Sequence, residues 1–353
     1  MHQRESVRPE VGASGPRVVA SVGDLRISVV IPVFRSAAFV GDCVRAVLAQ
    51  ELPVDEVVLV DDCSDDDSID IAVEMLDAAG VTHVVVRQEV NQGAGVARNT
   101  GLPSCTGDVV WFFDSDDLAA PEFTRTMVSA MVLHGAQIAA CRTALVDIDG
   151  APIGVLEPPA SRESVSGKDF AGMMVDGTVK AYPGGHVFRR EVLGEAPWDG
   201  RRAYEDMAAT MRIALACRRV ALIDEPVYRY RQRPDSVSKT VGESTLGLFE
   251  MGDDVAELIT ASNLGRRSRS AARVFTYREV LIPACHMAMR AHHAGVTDEA
   301  TGDVVRRLLD GARSRVSMRD MLPLLMVGEV RSAVFALAMR VWPQAYSRVL
   351  RSR

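Results

Sequence analysis

The chain has 353 residues, of which 48% are hydrophobic, 25% charged and 5% aromatic. This composition excludes a disordered, collagen-like or small disulfide-stapled protein and predicts a soluble globular one. The net charge of −7 argues against a general nucleic-acid-binding protein, so we expect no nucleic-acid partner. Six scattered cysteines without a CxxC pair predict buried thiols in a reducing cytoplasm, and the N-terminus lacks the apolar run of a signal peptide.

Short apolar runs alternate with amphipathic segments along the first part of the chain, after a Gly-, Pro-, Ser- and Arg-rich tail at 1–25 that we expect to be disordered. Strands are predicted at 27–33, 56–60, 83–87, 109–113 and 137–141, and helices at 37–50, 68–79, 95–102 and 121–134. Such alternation predicts crossover units, and hence an α/β fold with a mainly parallel sheet flanked by helices.

The periodicity changes twice further along the chain. Residues 142–240 are less periodic and richer in Gly and Pro, as in a region that folds over a site. From 241 the chain is predicted to be helical, at 246–259, 271–291, 303–309 and 330–341. We therefore expect one domain over 26–240, with halves at 26–141 and 142–240, followed by a helical region at 241–353.

Polar loops follow the first four predicted strands. In mainly parallel sheets, ligands bind at the carboxyl ends of the strands, so these loops should line one site. Three of the four are rich in carboxylates, amides or glycine, and the loops span 34–36, 61–64, 91–95 and 114–117. This coincidence is the main functional signal of the sequence.

Asp114 and Asp116 follow a buried strand and are separated by one residue. Two such carboxylates can project toward one point, and Mg²⁺ or Mn²⁺ commonly takes one or two carboxylates together with substrate phosphates. The alternative is an acidic turn, or a helix cap before Pro121. The position after a hydrophobic strand, in line with two other polar strand ends, favours binding.

Asp62 lies in the loop after the second strand, where a carboxylate can accept from the N–H of a base or from a ribose hydroxyl. The residues that follow, 65–68, suit the cap of the next helix. We expect Asp62 to bind and 65–68 to cap.

A glycine-containing turn from Asn91 leads into the third helix, whose N-terminus favours an anion. Arg98 lies one turn inside this helix, within reach of a nucleotide. Because Arg98 stands where the third glycine of GxGxxG would be, a dinucleotide site is disfavoured. An ordinary turn before a helix remains the alternative.

Glu205 and Asp206 precede an apolar helical stretch. Acidic residues there are commonly partners of the helix dipole, but a carboxylate could also be the general base that a sugar hydroxyl needs. Both interpretations remain open.

Arg229, Arg231 and Arg233 alternate with Tyr and Gln, which places them on one face of an extended segment. Three guanidinium groups suit phosphates, and an exposed edge strand is the equal alternative.

Taken in order, these segments resemble the family 2 glycosyltransferases with the GT-A fold, over about residues 27–240. The resemblance rests on the segments SVVIPVF at 28–34, VDDCS at 60–64, NQGAGVARNTG at 91–101, FDSDD at 113–117 and YED at 204–206. Cys63 and Phe34 depart from the usual Gly or Asn and the usual Tyr of the family.

The resemblance implies a nucleotide-diphospho-sugar donor, most often uridine-based, and Mn²⁺ or Mg²⁺ at Asp114 and Asp116. It implies a base contact at Asp62 beside the Pro32–Phe34 loop, and nucleotide contacts at Asn91, Arg98, Asp114 and Ser115. It also implies Asp206 as general base with Glu205 beside it. Arg231 and Ser236 fall in a segment that in similar enzymes closes over the diphosphate.

The expected activity is inverting transfer of a hexosyl or N-acetylhexosaminyl group to a glycan, lipid-linked or polyol-phosphate acceptor. The expected process is synthesis of envelope or extracellular polysaccharide or glycoconjugate, in the cytoplasm. The alternatives are an inactive nucleotide-sugar-binding or scaffold protein of the same fold, a nucleotidyltransferase or a dehydrogenase. The loop at 34–37 has no glycine, which speaks against a nucleotidyltransferase.

The C-terminal residues 303–353 contain ten Arg and four acidic residues. Within them, 330–353 form a basic amphipathic segment that could lie on an anionic membrane surface. A packing helix with a solvated face, or a homodimer contact, would have the same pattern.

Overall fold

The computed structural model describes residues 21–233, 240–264, 268–293 and 298–341. The strands are β1 Ile27–Val33, β2 Glu56–Asp61, β3 His83–Arg87, β4 Val109–Phe112, β5 Leu118–Ala119, β6 Ile138–Val146, β7 Pro152–Val155, β8 Ser164–Val165, β9 His186–Arg189 and β10 Val220–Arg231. The helices are α1 Val40–Leu48, α2 Ser68–Ala79, α3 Ala94–Gly101, α4 Phe123–His134, α5 Gly167–Asp176, α6 Asp206–Ala216, α7 Gly247–Ala261, α8 Ser268–Phe275, α9 Ile282–His293, α10 Glu299–Arg315, α11 Met321–Met326 and α12 Val330–Val341.

The strands form one mixed sheet in the order β3-β2-β1-β4-β9-β6-β10-β5, with β7 beside β6 and β8 beside β10. β1 pairs in parallel with β2 and β4, and β3 extends this parallel set from β2. β9 is antiparallel to both of its neighbours, β4 and β6. The predicted α/β fold with a mainly parallel sheet is thus confirmed. Because β1 to β4 all run the same way, their carboxyl ends meet at one edge.

Every residue of β1, β2 and β4 is buried, because helices cover both faces of the sheet. One face packs against α1, α2 and α4 through side chains such as Val44, Leu76 and Met127. On the other face, Phe170 of α5 shares a hydrophobic core with Phe249 of α7. The C-terminal helices therefore complete a core that begins in the sheet.

The structure extends or shortens several predicted elements. The strand predicted at 137–141 continues to Val146, and the helix predicted at 37–50 is confined to α1. The segment predicted as one helix at 271–291 is α8, a π-helical stretch Thr276–Leu281 and α9. Five cysteines are buried as predicted, whereas Cys63 is exposed in the loop after β2.

Residues 1–20, Ser236 and residues 342–353 lie outside the described part of the chain, and the predictions that concern them stay predictions. Within the described ranges, no helix combines the length and the apolar character needed to cross a membrane.

Candidate active site

The acidic turn after β4, residues 114–117, is held in place by the Asp117 side chain. This side chain is fully buried and accepts hydrogen bonds from the Tyr228 hydroxyl and from the backbone N–H of Arg231, the latter at 2.9 Å. Burial, together with the charges of Asp116 and Asp114, raises its pKa well above the usual range. The side chains of Asp114 and Asp116, in the same turn, are half-buried, each 28% exposed.

The surroundings of Asp116 disfavour its charged form. Burial and the neighbouring Asp114 raise its pKa, and the Arg233 guanidinium, 2.9 Å from Oδ2, opposes that shift. Among the described residues, no group of three His, Cys, Asp or Glu side chains could hold a metal ion. Two adjacent carboxylates nevertheless fit Mg²⁺ or Mn²⁺ when phosphate oxygens supply further ligands.

Arg98 bridges the two sides of the site. Its Nη2 donates to Asp114 at 2.6 Å, its Nη1 donates to Glu205 at 2.9 Å, and its guanidinium lies 5.2 Å from the Trp198 ring centroid. Burial alone would lower the pKa of Arg98, but these two carboxylates raise it above its usual value. In this structure the guanidinium is occupied by protein carboxylates, with 3% of the side chain exposed.

Asp206 is the first residue of α6. Two residues before it, Tyr204 has a φ of 61°, which is unusual for a residue with a side chain. Burial and the charge of Glu205 raise the pKa of Asp206 to about 7, although Arg98 opposes the shift. A carboxyl group with this pKa exchanges its proton near neutral pH, which suits a general base. The role of Asp206 as general base stays a prediction.

Gly95 lets α3 approach the segment that carries Glu205 and the candidate base Asp206. A Cβ at this position would overlap the Asp199 carbonyl oxygen and lie 2.9 Å from Cγ of Glu205. A larger residue would push the Arg98 helix away from Glu205.

Asp62 shapes the turn that enters α3. Its two oxygens accept from the backbone N–H groups of Gln92 and Gly93 at 2.7 and 2.8 Å, and it is 2% exposed. Gly93 has a φ of +92°, which a side chain would strain. The backbone oxygen of Asn91 accepts from Nη2 of Arg202 at 2.9 Å.

The N-cap residue of α2 is Asp67, which makes no side-chain cap hydrogen bond. Oδ1 of the preceding Asp66 accepts from the backbone N–H of Ser68, the first residue of the helix, at 3.2 Å. This lies within the segment 65–68 that was predicted to cap. Asp65 instead pairs with the exposed Arg35 guanidinium.

Arg231 braces the acidic turn from the end of β10. Its Nε donates to the Asp116 carbonyl oxygen at 2.8 Å and its Nη2 to Asp42 at 3.0 Å. Only 3% of the side chain is exposed. Arg233, two residues further on, is half-buried and pairs with the Asp116 carboxylate. The family resemblance implied Arg231 rather than Arg233 near the diphosphate, although Arg233 was one of the three alternating arginines.

Residues 28–195 match the family model described as glycosyl transferase family 2. The chain therefore contains a domain of this family over these residues. The match contains the three polar loops with Asp62, Arg98, Asp114 and Asp116, whereas Glu205 and Asp206 lie beyond its end.

Relatives of this glycosyltransferase include GlyG, a glycosyltransferase of Streptococcus pneumoniae serotype 4, which is 23% identical over 223 residues, 61% of this chain and 73% of GlyG. The succinoglycan biosynthesis protein ExoO of Rhizobium meliloti is 32% identical over 135 residues, 38% of this chain and 37% of ExoO. The structure of S. aureus TarS 1–349 with UDP-GlcNAc superposes with a TM-score of 0.64 at 18% identity, covering 91% of this chain and 92% of that one. The GT-A-like fold is thereby confirmed.

The residues of the glycosyltransferase that were predicted to lie near the nucleotide differ in solvent exposure. Phe34 is 40% exposed after β1, and the Arg35 guanidinium lies 5.1 Å from its ring centroid. Pro32 is buried within β1, opposite Val60 of β2. The Ser115 hydroxyl is buried and 2.8 Å from that of Ser36. Of the residues predicted here, Phe34 is the one that presents an aromatic ring at the surface.

Proposed function

We propose that this glycosyltransferase moves a sugar from a nucleotide-diphosphate donor to an acceptor hydroxyl with inversion. The expected nucleoside of the donor is uridine. The observation that carries the proposal is the buried Arg98 guanidinium, which joins Asp114 of the acidic turn to Glu205, next to the candidate base Asp206. The donor-binding groups and the candidate general base would then lie on either side of Arg98. The UDP and UDP-GlcNAc complexes of TarS support uridine as the nucleoside of the donor.

Asp114 and Asp116 would hold Mn²⁺ or Mg²⁺. Such an ion, when bound, neutralises the charge that develops on the diphosphate leaving group. We expect Arg233, which pairs with Asp116 at 2.9 Å, to contact the diphosphate as well. Arg231 would act by bracing the turn, and Ser236 remains a predicted diphosphate contact.

The nucleotide would lie between the loops after β1, β2 and β3. We expect the base to contact the Phe34 ring. A carboxylate offers about four acceptor positions, so Asp62 could accept from the base in addition to its two backbone donors. Asn91 and Ser115 are proposed as further nucleotide contacts, with Pro32 shaping the loop from within β1.

Asp206 would take the proton of the acceptor hydroxyl. The oxygen then bonds to the anomeric carbon from the side opposite the diphosphate. The bond from that carbon to the phosphate oxygen breaks, and its electron pair leaves with the nucleoside diphosphate. A pKa of about 7 leaves enough carboxylate at neutral pH for this role.

We propose a cytoplasmic role in envelope or extracellular polysaccharide synthesis, because ExoO is a succinoglycan biosynthesis protein. The acceptor would be a glycan, a lipid-linked glycan or a polyol phosphate. A homodimer through the C-terminal helices remains a prediction, as does peripheral contact of 330–353 with a membrane.

The donor class can be tested by thermal-shift titration with UDP, GDP, CDP and dTDP, each with Mn²⁺ or with EDTA. Binding to the native state stabilises it by about 2.7 kcal/mol at a hundredfold excess over Kd. We expect a metal-dependent shift with UDP that Asp116→Ala abolishes. Asp70→Ala, at an exposed position on α2, should keep the full shift.

Two results would count against the proposal. A UDP shift of equal size with Mn²⁺ and with EDTA would contradict metal binding at Asp114 and Asp116. Stabilisation by none of the four nucleotides would contradict the nucleotide-donor assignment itself.

A further inference from the structure

Exposed apolar side chains concentrate on the C-terminal helices. Of the fifteen large hydrophobic residues exposed in the described part of the chain, eight lie within residues 318–337, here called the α11–α12 patch: Met318, Leu322, Leu325, Met326, Val327, Val330, Val334 and Leu337. Leu322 and Met326 are each 67% exposed and Val334 is 59% exposed. Concentrated exposed apolar surface of this kind marks an interaction site.

α12 is apolar on two sides. On its inner side, the ring centroid of Phe335 lies 6.4 Å from that of Tyr277, and Sδ of Met339 lies 4.0 Å from the buried Sγ of Cys285. On its outer side, Val330, Val334 and Leu337 follow the i, i+4, i+7 spacing of one helical stripe and are all exposed. The outer stripe is therefore available to a partner, in addition to the contacts that α12 makes on its inner side.

Residues 318–337 contain two arginines, Arg319 and Arg331, and two acidic residues, Asp320 and Glu329. Both acidic residues are half-buried, so the arginines are the exposed charges of the patch. Arg319 and Arg331 are exposed, and neither makes an ion pair with another residue of the described ranges. Asp320, the acidic residue next to Arg319, is already paired with Arg273 at 2.6 Å. The surrounding residues 303–353 carry ten Arg and four acidic residues, in a chain whose net charge is −7.

We propose that the α11–α12 patch binds the surface of an anionic lipid bilayer, with its leucine, methionine and valine side chains at the boundary between head groups and acyl chains. Apolar residues flanked by arginines have both of the attractions that hold surface helices on such membranes. A second copy fits less well. A two-fold axis would set the patch against itself and bring the unpaired arginines toward like charges. This surface lies outside the transfer site, so the proposal does not depend on the donor or the base.

The full-length protein can be sedimented with vesicles of phosphatidylcholine alone or mixed with phosphatidylglycerol. We expect binding that requires phosphatidylglycerol and weakens with salt. The double variant Leu322→Ser/Val334→Ser should bind at least about tenfold more weakly, because two apolar side chains no longer leave water on binding. Arg319→Gln/Arg331→Gln should lose the preference for phosphatidylglycerol.

Leu133→Ser is the matched control, because Leu133 is 77% exposed on α4, in the other half of the protein. It should bind vesicles as the wild type does, and circular dichroism should show the same melting temperature for all variants. Absence of wild-type binding to phosphatidylglycerol, or equal binding by the Leu322/Val334 variant, would overturn the proposal. A wild-type dimer that this variant converts to monomer, without vesicle binding, would assign the patch to a second copy instead.

Discussion

At the scale of single residues, the charge balance of the site depends on Arg98. Its buried guanidinium has two carboxylate partners from different parts of the chain, Asp114 and Glu205. Removing one member of a buried ion-pair network leaves charges without compensation, which costs far more than breaking an exposed pair. Arg98 therefore acts in this structure by positioning the two sides of the site.

We expect Arg98→Gln to lower the free energy of unfolding by about 3–5 kcal/mol. The control is Arg87→Gln, because Arg87 is 62% exposed and pairs with Asp61. Its cost should be at most about 1 kcal/mol. Urea unfolding at pH 7 measures both, and equal losses would show that Arg98 is not a buried link between carboxylates.

Asp206→Asn should reduce kcat by about 10²–10⁴-fold, the usual contribution of a positioned base. Donor binding should be unchanged, as measured by the nucleotide-induced thermal shift. In the wild type, a base must be deprotonated, so kcat should fall as the pH drops below about 7. Full activity in Asp206→Asn, or a flat profile between pH 5.5 and 8, would contradict the assignment.

The same pKa has a consequence for folding. Because the folded state raises the pKa of Asp206 from its usual value to about 7, the folded protein holds this proton more tightly than the unfolded chain does. Its contribution to stability is therefore present at low pH and is lost as the pH rises through about 7.

At the scale of elements, the site depends on how closely α3 packs against the segment before α6. Gly95 makes this approach possible, since a Cβ would meet Glu205 and the Asp199 carbonyl. The sequence predicted Gly95 as part of a turn into a helix. Its role as a contact point between residues more than a hundred positions apart depends on tertiary packing.

Gly95→Ala should destabilise the protein by about 1–3 kcal/mol, as overpacking does, and reduce activity by moving Arg98 away from Glu205. Gly172→Ala on α5 is the control, because nothing lies within 4 Å of its Cβ position. That change should stabilise by about 0.4–1 kcal/mol. Thermal unfolding and activity assays of both variants test the contrast. A harmless Gly95→Ala would contradict the close approach.

At the scale of the whole molecule, one hydrophobic core contains residues of the sheet and of the C-terminal helices. Val30 of β1, Phe170 of α5, Phe249 of α7 and Phe335 of α12 belong to the same cluster of buried side chains. The hydrophobic core therefore continues across the predicted boundary near residue 240, where the sequence pattern changes.

We expect a chain ending at residue 240 to aggregate, because the cluster would lose Phe249, Val255, Tyr277 and the other apolar partners from the C-terminal helices. The full-length protein should unfold in one transition that is the same by near- and far-ultraviolet circular dichroism. A soluble 1–240 fragment that keeps the donor-induced thermal shift would show that the sheet domain folds alone.

The sequence by itself determined the parallel half of the sheet and the loops that carry its polar residues. Alternating apolar runs and helical periodicity are local properties, and parallel strands necessarily bring their carboxyl ends to one edge. Tertiary structure alone decided which charges meet there. Arg98 pairs with Asp114 and Glu205, Arg231 turns inward to Asp42, and Arg233 faces Asp116. Such pairings join distant segments through burial and approach distance, which no local pattern encodes.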